Sequence, residues 1–288
     1  LMLEGHPYDG SRSIYHNAVR YRGAGLDLAF LHNPKRDPIV LAGDDDRRLT
    51  DADETALALR YRQSDELAWT LVLKDEVDPD GILPRLRTIT LGGRTDQPLG
   101  EEGDFLFEGT FQLQDRGGDA FAGGEAFAFA LQTHAAIPLG PSWRGKLGYF
   151  HYSGNSPGDL AAFRTPWGRW PKWSELYIYT LIGESSVGRN HVAAWENIAA
   201  PHLTLNRPLG DGFDLMLNGT YLLAPQTDWA ARGLLTRVEL EVEFFTGLDG
   251  HLLWEMLDPG SFHDERAYPR SMSGTVHFLR WQLAYALP

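Results

Sequence analysis

The chain has no cysteine among its 288 residues. That removes disulfides, thiol nucleophiles and cysteine-ligated metals together. No run of about 18 apolar residues occurs, so no helix of the length that crosses a bilayer is available. Basic residues are scarce: 26 Lys and Arg stand against 39 Asp and Glu, for a net charge of −13. So acidic a chain is a poor partner for nucleic acid. The 10 histidines are scattered, with neither a His-x-His nor a His-Glu-x-x-His pair. No Gly-x-Ser-x-Gly turn is present, and no spacing selects a Ser, His and Asp trio. Neither an enzyme nor a metal or other cofactor is expected. Leu1 to His6 lacks the basic and apolar regions of a signal peptide, so either a signal was removed or the chain starts inside a longer protein.

What is abundant is alternation. In the last strand, residues 277–287, Leu279, Trp281, Leu283, Tyr285 and Leu287 share one face. Phe278, Arg280, Gln282, Ala284 and Ala286 share the other. A period of two, apolar on one side and small or polar on the other, is a half-buried strand. The pattern recurs along the whole chain. Leu57, Leu59 and Tyr61 oppose Arg60 and Arg62. Phe105, Phe107, Phe111 and Leu113 oppose Glu108, Thr110, Gln112 and Gln114. Phe127, Phe129 and Leu131 oppose Ala126, Ala128 and Ala130. Phe213, Leu215, Leu217, Tyr221 and Leu223 form another clean face, as do Val238, Leu240, Val242 and Phe244. Residues 83–94 read as a strand whose faces are hard to assign, and 175–181 as a strand that alternates badly.

Short turns at 23–25, 63–66, 138–141, 208–212 and 246–250 contrast with long connections at 32–53, 153–173 and 258–273. Short turns on one rim and long loops on the other are how outer-membrane barrels are built. A barrel's alternating strands also keep mean hydropathy low, and 9 Trp and 11 Tyr suit two interfacial girdles. The expectation is one all-β domain over residues 1–288, a transmembrane antiparallel β-barrel of 13 or 14 strands with its apolar face in lipid. A soluble β-sandwich or lipocalin-like barrel is the alternative, with the same faces turned inward.

The C-terminal half resembles the alginate export family of outer-membrane porins. The resemblance rests on Arg144-Gly145-Lys146-Leu147-Gly148-Tyr149-Phe150 and the loop from Phe163 to Trp173. Asn197-Ile198-Ala199-Ala200-Pro201, Tyr221-Leu222-Leu223-Ala224-Pro225, Val238-Glu239-Leu240-Glu241-Val242 and Asp258-Pro259-Gly260-Ser261-Phe262 add to it. It implies a bacterial outer-membrane location and an 18-stranded barrel whose basic lumen passes an anionic polysaccharide. This chain is several strands shorter than that and ends in Leu287-Pro288 rather than an aromatic residue.

With apolar faces outward, Arg12, Arg20, Arg22, Arg60, Arg62, Lys74, Arg144 and Lys146 would point into a lumen. Arginine matches carboxylates with a planar fork and stays charged. A ring of such groups favours anions over cations. The same residues could instead pair with lumen acids such as Glu108, Glu239, Glu241 and Glu243. Trp167, Trp170 and Trp173, with Arg169 and Lys172, would suit stacking on an acidic sugar, or would simply anchor a packed loop at the membrane interface. Asp44, Asp45 and Asp46 read as a solvated acidic loop rather than a calcium site, since the EF-hand spacing is missing. Gly140 to Leu147 misses a phosphate-binding loop at its last position.

The function expected is passive passage of anionic solutes, an acidic oligo- or polysaccharide such as alginate. A structural or complex-forming barrel, with a periplasmic or outer-membrane protein partner, is one alternative. A hydrolase at the barrel rim is another.

Overall fold

The computed structural model describes residues 17–33, 53–77, 85–117, 124–154, 163, 174–176, 197–263 and 274–285. Thirteen strands follow one another: β1 (Asn17–Gly23), β2 (Leu26–Asn33), β3 (Asp53–Arg62), β4 (Leu67–Val77), β5 (Arg85–Leu99), β6 (Gly103–Gly117), β7 (Gly124–Pro138), β8 (Arg144–Tyr152), β9 (Ile198–Gly210), β10 (Phe213–Ala224), β11 (Ala230–Phe245), β12 (Leu248–Pro259) and β13 (Val276–Tyr285). They form one sheet in sequence order, every neighbour antiparallel. Odd-numbered strands all run one way, so β1 and β13 point in the same direction. No pairing between them is present among the described residues.

The connections alternate as expected. Residues 24–25, 63–66, 100–102, 139–143, 211–212 and 246–247 turn at one rim, whereas 34–52, 78–84, 118–123, 153–197, 225–229 and 260–275 join strands at the other. The first turn shows the local chemistry. Ala24 and Gly25 both have positive φ, 48° and 77°, as a two-residue type I′ hairpin requires. A side chain on Gly25 would also meet the Arg62 carbonyl oxygen at 2.8 Å.

Burial settles which way the faces point. Along β6, Phe107, Phe111 and Leu113 are 42%, 58% and 55% exposed, while Glu108, Thr110, Gln112 and Gln114 between them are 2% exposed or less. In β5, Ile89 and Leu91 are exposed and Thr88 and Thr90 buried. In β13, Leu279, Trp281, Leu283 and Tyr285 all lie open. Among the described residues no second sheet covers the polar face, yet its side chains are shielded from solvent while the apolar face lies open. The result is inverted relative to a water-soluble sandwich: greasy outside, hydrogen-bonded inside. Gln112 donates to Thr90 Oγ1 at 2.8 Å and Gln114 donates to Gln112 Oε1 at 2.8 Å. The soluble alternative is therefore set aside.

Two expectations shift. The 83–94 strand is β5, which runs further, to Leu99. Its face is blurred where Gly92 and Gly93 interrupt the alternation. Gly93 sits under the ring of Trp69, where an added Cβ would lie 2.9 Å from Cζ3. The 175–181 segment adds no fourteenth strand among the described residues: Glu175 and Leu176 have helical backbone, and 177–181 lie outside them.

The inverted arrangement predicts that Phe111→Arg, at an exposed mid-strand position, weakens folding into lipid bilayers by roughly 2–4 kcal/mol. Urea titration of bilayer-folded protein measures it. In a water-soluble fold the same exposed change would be nearly neutral.

Candidate functional site

The candidate site is the inner face, and its charges are sorted by strand. On β1 to β5 the inward positions carry Arg20, Arg22, Arg60, Arg62 and Arg94. Register explains their grouping. Arg22 lies opposite Asp27, and Asp27 opposite Arg60. Arg62 lies opposite Ala68, and Ala68 opposite Arg94. The small residues Ala68 and Gly92 leave room for long guanidinium arms on both sides.

Acids partly answer these arginines. Asp27 receives both the Nε (2.6 Å) and Nη2 of Arg20 and lies 3.3 Å from Arg22 Nε. Arg94 donates from Nε and Nη2 to Asp96 at 2.8 and 3.1 Å. The Arg62 side chain makes no ion pair among the described residues and is exposed.

The other inward cations divide differently. Lys74 is structural. Its ammonium lies 2.9 Å from Glu54 Oε1 and 2.6 Å from Glu76 Oε1, with only 8% of the side chain exposed. Arg144 pairs with Asp104 and donates to the Glu102 carbonyl at 3.1 Å. Asp104 is also 3.4 Å from His134 Nε2. Lys146 shares this stretch of wall, in the row of Ala136 and Thr204, without an ion pair among the described residues. On β10 and β11 the sign reverses. Asp214 lies opposite Glu241, and Met216 opposite Glu239, while Arg237 donates to Glu239 at 2.6 Å. A cavity of about 480 Å³ near the short turns is lined by Arg144, Asp214, Glu239 and Glu241 among others.

Nearer the long loops the inner face turns apolar and is occupied. Leu176, from the β8–β9 connection, is fully buried against Phe150, Ile198, Ala200, Leu222, Leu235 and Leu257, inward residues of β8 to β12. Phe163, from the same connection, packs on Ala128 and Ala130 of β7. Its amide donates to the Ser153 carbonyl at 3.1 Å. Glu255, 0% exposed, accepts from Ser174 Oγ at 3.0 Å and from the Leu176 amide at 2.6 Å.

Of the sequence-predicted residues, Arg20, Arg22, Arg60, Arg62, Lys74, Arg144 and Lys146 all fall on the inner face. The first four gather on β1 and β3, and the last two lie apart on β8. Arg12, Trp167, Arg169, Trp170, Lys172 and Trp173 lie outside the described residues. Sequence reasoning missed Arg94, whose strand was hard to assign, and the pairing acids Glu54, Glu76 and Asp104. It also missed Glu255. The signal for that residue is an acid flanked along the inward row by Leu253 and Leu257.

No family model matches the chain, and no curated protein matches it. Among solved structures it is similar to a crystal structure of a doubly substituted OccD1 (OprD), with a TM-score of 0.57 and 13% sequence identity. The match covers 93% of this chain and 67% of that one. At that identity the likeness shows the fold: an all-β antiparallel sheet of the outer-membrane porin barrel type.

Removing a buried ion's partner costs more than removing an exposed charge. Lys74→Met leaves Glu54 and Glu76 facing each other, and is expected to destabilise the fold by about 3–5 kcal/mol. Arg62→Gln is expected to change stability by less than about 0.5 kcal/mol. Thermal or urea unfolding of the two variants side by side gives the comparison.

Proposed function

We propose that the chain forms the wall of an outer-membrane channel through which anionic solutes diffuse passively. The observation that carries this reading is the row of Arg20, Arg22, Arg60, Arg62 and Arg94 on the inner face of β1 to β5. Inside a narrow, low-dielectric wall, fixed positive charges lower the barrier for an entering anion and raise it for a cation. The arginine fork suits carboxylates in particular. An acidic oligo- or polysaccharide such as alginate is the finer proposal, supported by the sequence resemblance and by the carboxylate chemistry of this row. Asp27 and Asp96 hold the guanidinium groups in place but do not outnumber them. The mechanism needs no cofactor and no reaction. Solute moves down its gradient along the basic side, away from Asp214, Glu239 and Glu241 on the opposite strands.

A second reading has its own observation. Leu176 and Phe163 rest on the inner face, as they would in a structural or complex-forming barrel whose interior is filled and whose partner is another protein of the outer membrane or periplasm. A rim hydrolase draws support only from the Asp104–His134 contact at 3.4 Å, which has no nucleophile assigned to it.

In planar bilayers the unmodified protein is expected to conduct, with a reversal potential that shows anion preference in a salt gradient. Converting Arg20, Arg22, Arg60, Arg62 and Arg94 to Gln together should abolish or invert that preference while the conductance persists. Cation preference in the unmodified protein would sink the anionic reading, and absence of conductance would favour the filled barrel.

A further inference from the structure

Glu255 is in the wrong surroundings for an acid. It projects inward from β12 between Leu253 and Leu257, is 0% exposed, and lies in register with Arg237 on one side and Phe278 on the other. A carboxylate buried among such groups is costly unless its oxygens are satisfied. The wall does little to satisfy it: Arg237 Nε approaches Oε1 only to 3.8 Å, and Oε1 has no hydrogen bond. Oε2 instead accepts two hydrogen bonds from the β8–β9 connection, about 80 residues away in sequence. One donor is the hydroxyl of Ser174, the other the amide of Leu176. Glu175, between them, reaches the other way, to Arg280 Nη1 of β13 at 3.0 Å.

We propose that Glu255 is a positioning residue that fastens the Ser174-Glu175-Leu176 turn to the inner wall and thereby sets the width of the passage on the β8 to β13 side. The width claim rests on the channel reading above. The coupling follows from the partners. Undocking the turn costs Glu255 Oε2 both of these hydrogen bonds, so the carboxylate favours the docked arrangement. Leu176 alone, packed on Leu222, Leu235 and Leu257, would bind the wall without choosing a register. The carboxylate supplies that choice, because only one placement gives it two donors. Arg237 and Arg280 are drawn into the same cluster. They are thereby withdrawn from solute, which leaves the arginines of β1 to β5 as the basic side of the passage.

The absence of cysteine makes the test clean. Leu176→Cys, folded in detergent or lipid and checked by heat-modifiable gel mobility, should react slowly with a membrane-impermeant maleimide. Adding Glu255→Gln should speed the reaction about tenfold or more, since it removes a charge-assisted bond worth more than the neutral one that replaces it. In planar bilayers, Glu255→Gln with Leu176 intact should give a larger or noisier single-channel current than the unmodified protein. Ser174→Ala should shift the current in the same direction by less. Equal labelling rates and equal current traces with and without Glu255→Gln would overturn the proposal. So would a current change in Ser174→Ala that exceeds that of Glu255→Gln. If the unmodified protein passes no current, the channel reading and the width claim fail together, while the labelling rates still decide whether Glu255 is the anchor.

Discussion

The constraint on which the structure depends is that a lipid-facing wall offers backbone and side-chain polar groups nothing to bond to. Every strand must therefore give its amides and carbonyls to neighbours, which the thirteen-stranded antiparallel order does along each strand pair. Every polar side chain must face the other way. Once Phe107, Phe111 and Leu113 are committed to the outside of β6, the fate of Glu108, Thr110, Gln112 and Gln114 is decided by the period of two alone. They have to find one another, and the Gln114–Gln112–Thr90 chain of hydrogen bonds is how part of that face does so. Function is built from the leftovers of this requirement, the inward groups that the wall itself does not consume.

Seen in that way, the inner cations fall into three kinds. Lys74 is consumed entirely by Glu54 and Glu76 and belongs to the wall. Arg20 and Arg94 are held by one acid each, oriented but still displayed. Arg62 and Lys146 carry their charge without an ion pair among the described residues. The gradation follows local placement: an acid diagonal to a cation, or two residues along its own strand, takes it, as Asp27, Glu54, Glu76 and Asp96 do. The sign change between β1–β5 and β10–β11 then gives the interior a transverse polarity that the net charge of −13 conceals.

Much of this was legible in the sequence. The outward faces of β3, β6, β10, β11 and β13 could be read from alternation, and the short and long connections already separated into two rims. The inward direction of Arg20, Arg60 and Arg62 followed from that pattern. What alternation does not encode is who sits beside whom. The pairing of Lys74 depends on the β3–β4 register, set at the Gln63 to Glu66 turn. Arg94 was hidden because Gly92 and Gly93 blank out two positions in the pattern. Gly93 is itself explained only by the Trp69 ring that lies over it. Glu255 went unread, because its partners lie in a connection whose contacts no periodic signal carries.

The alanines of β7 lead to a broader point. Ala126, Ala128 and Ala130 look like weak strand residues, too small to line a pore or to stabilise a sheet. Phe163 rests on that row, and larger side chains there would leave it no seat. Small residues on the interior of a wall of this kind act as a mould, recording the shape of a segment that arrives from far away in the chain. Where such a hollow appears in a strand of an otherwise bulky or charged lining, it marks a place to look for the aromatic plug that was cast to fit it.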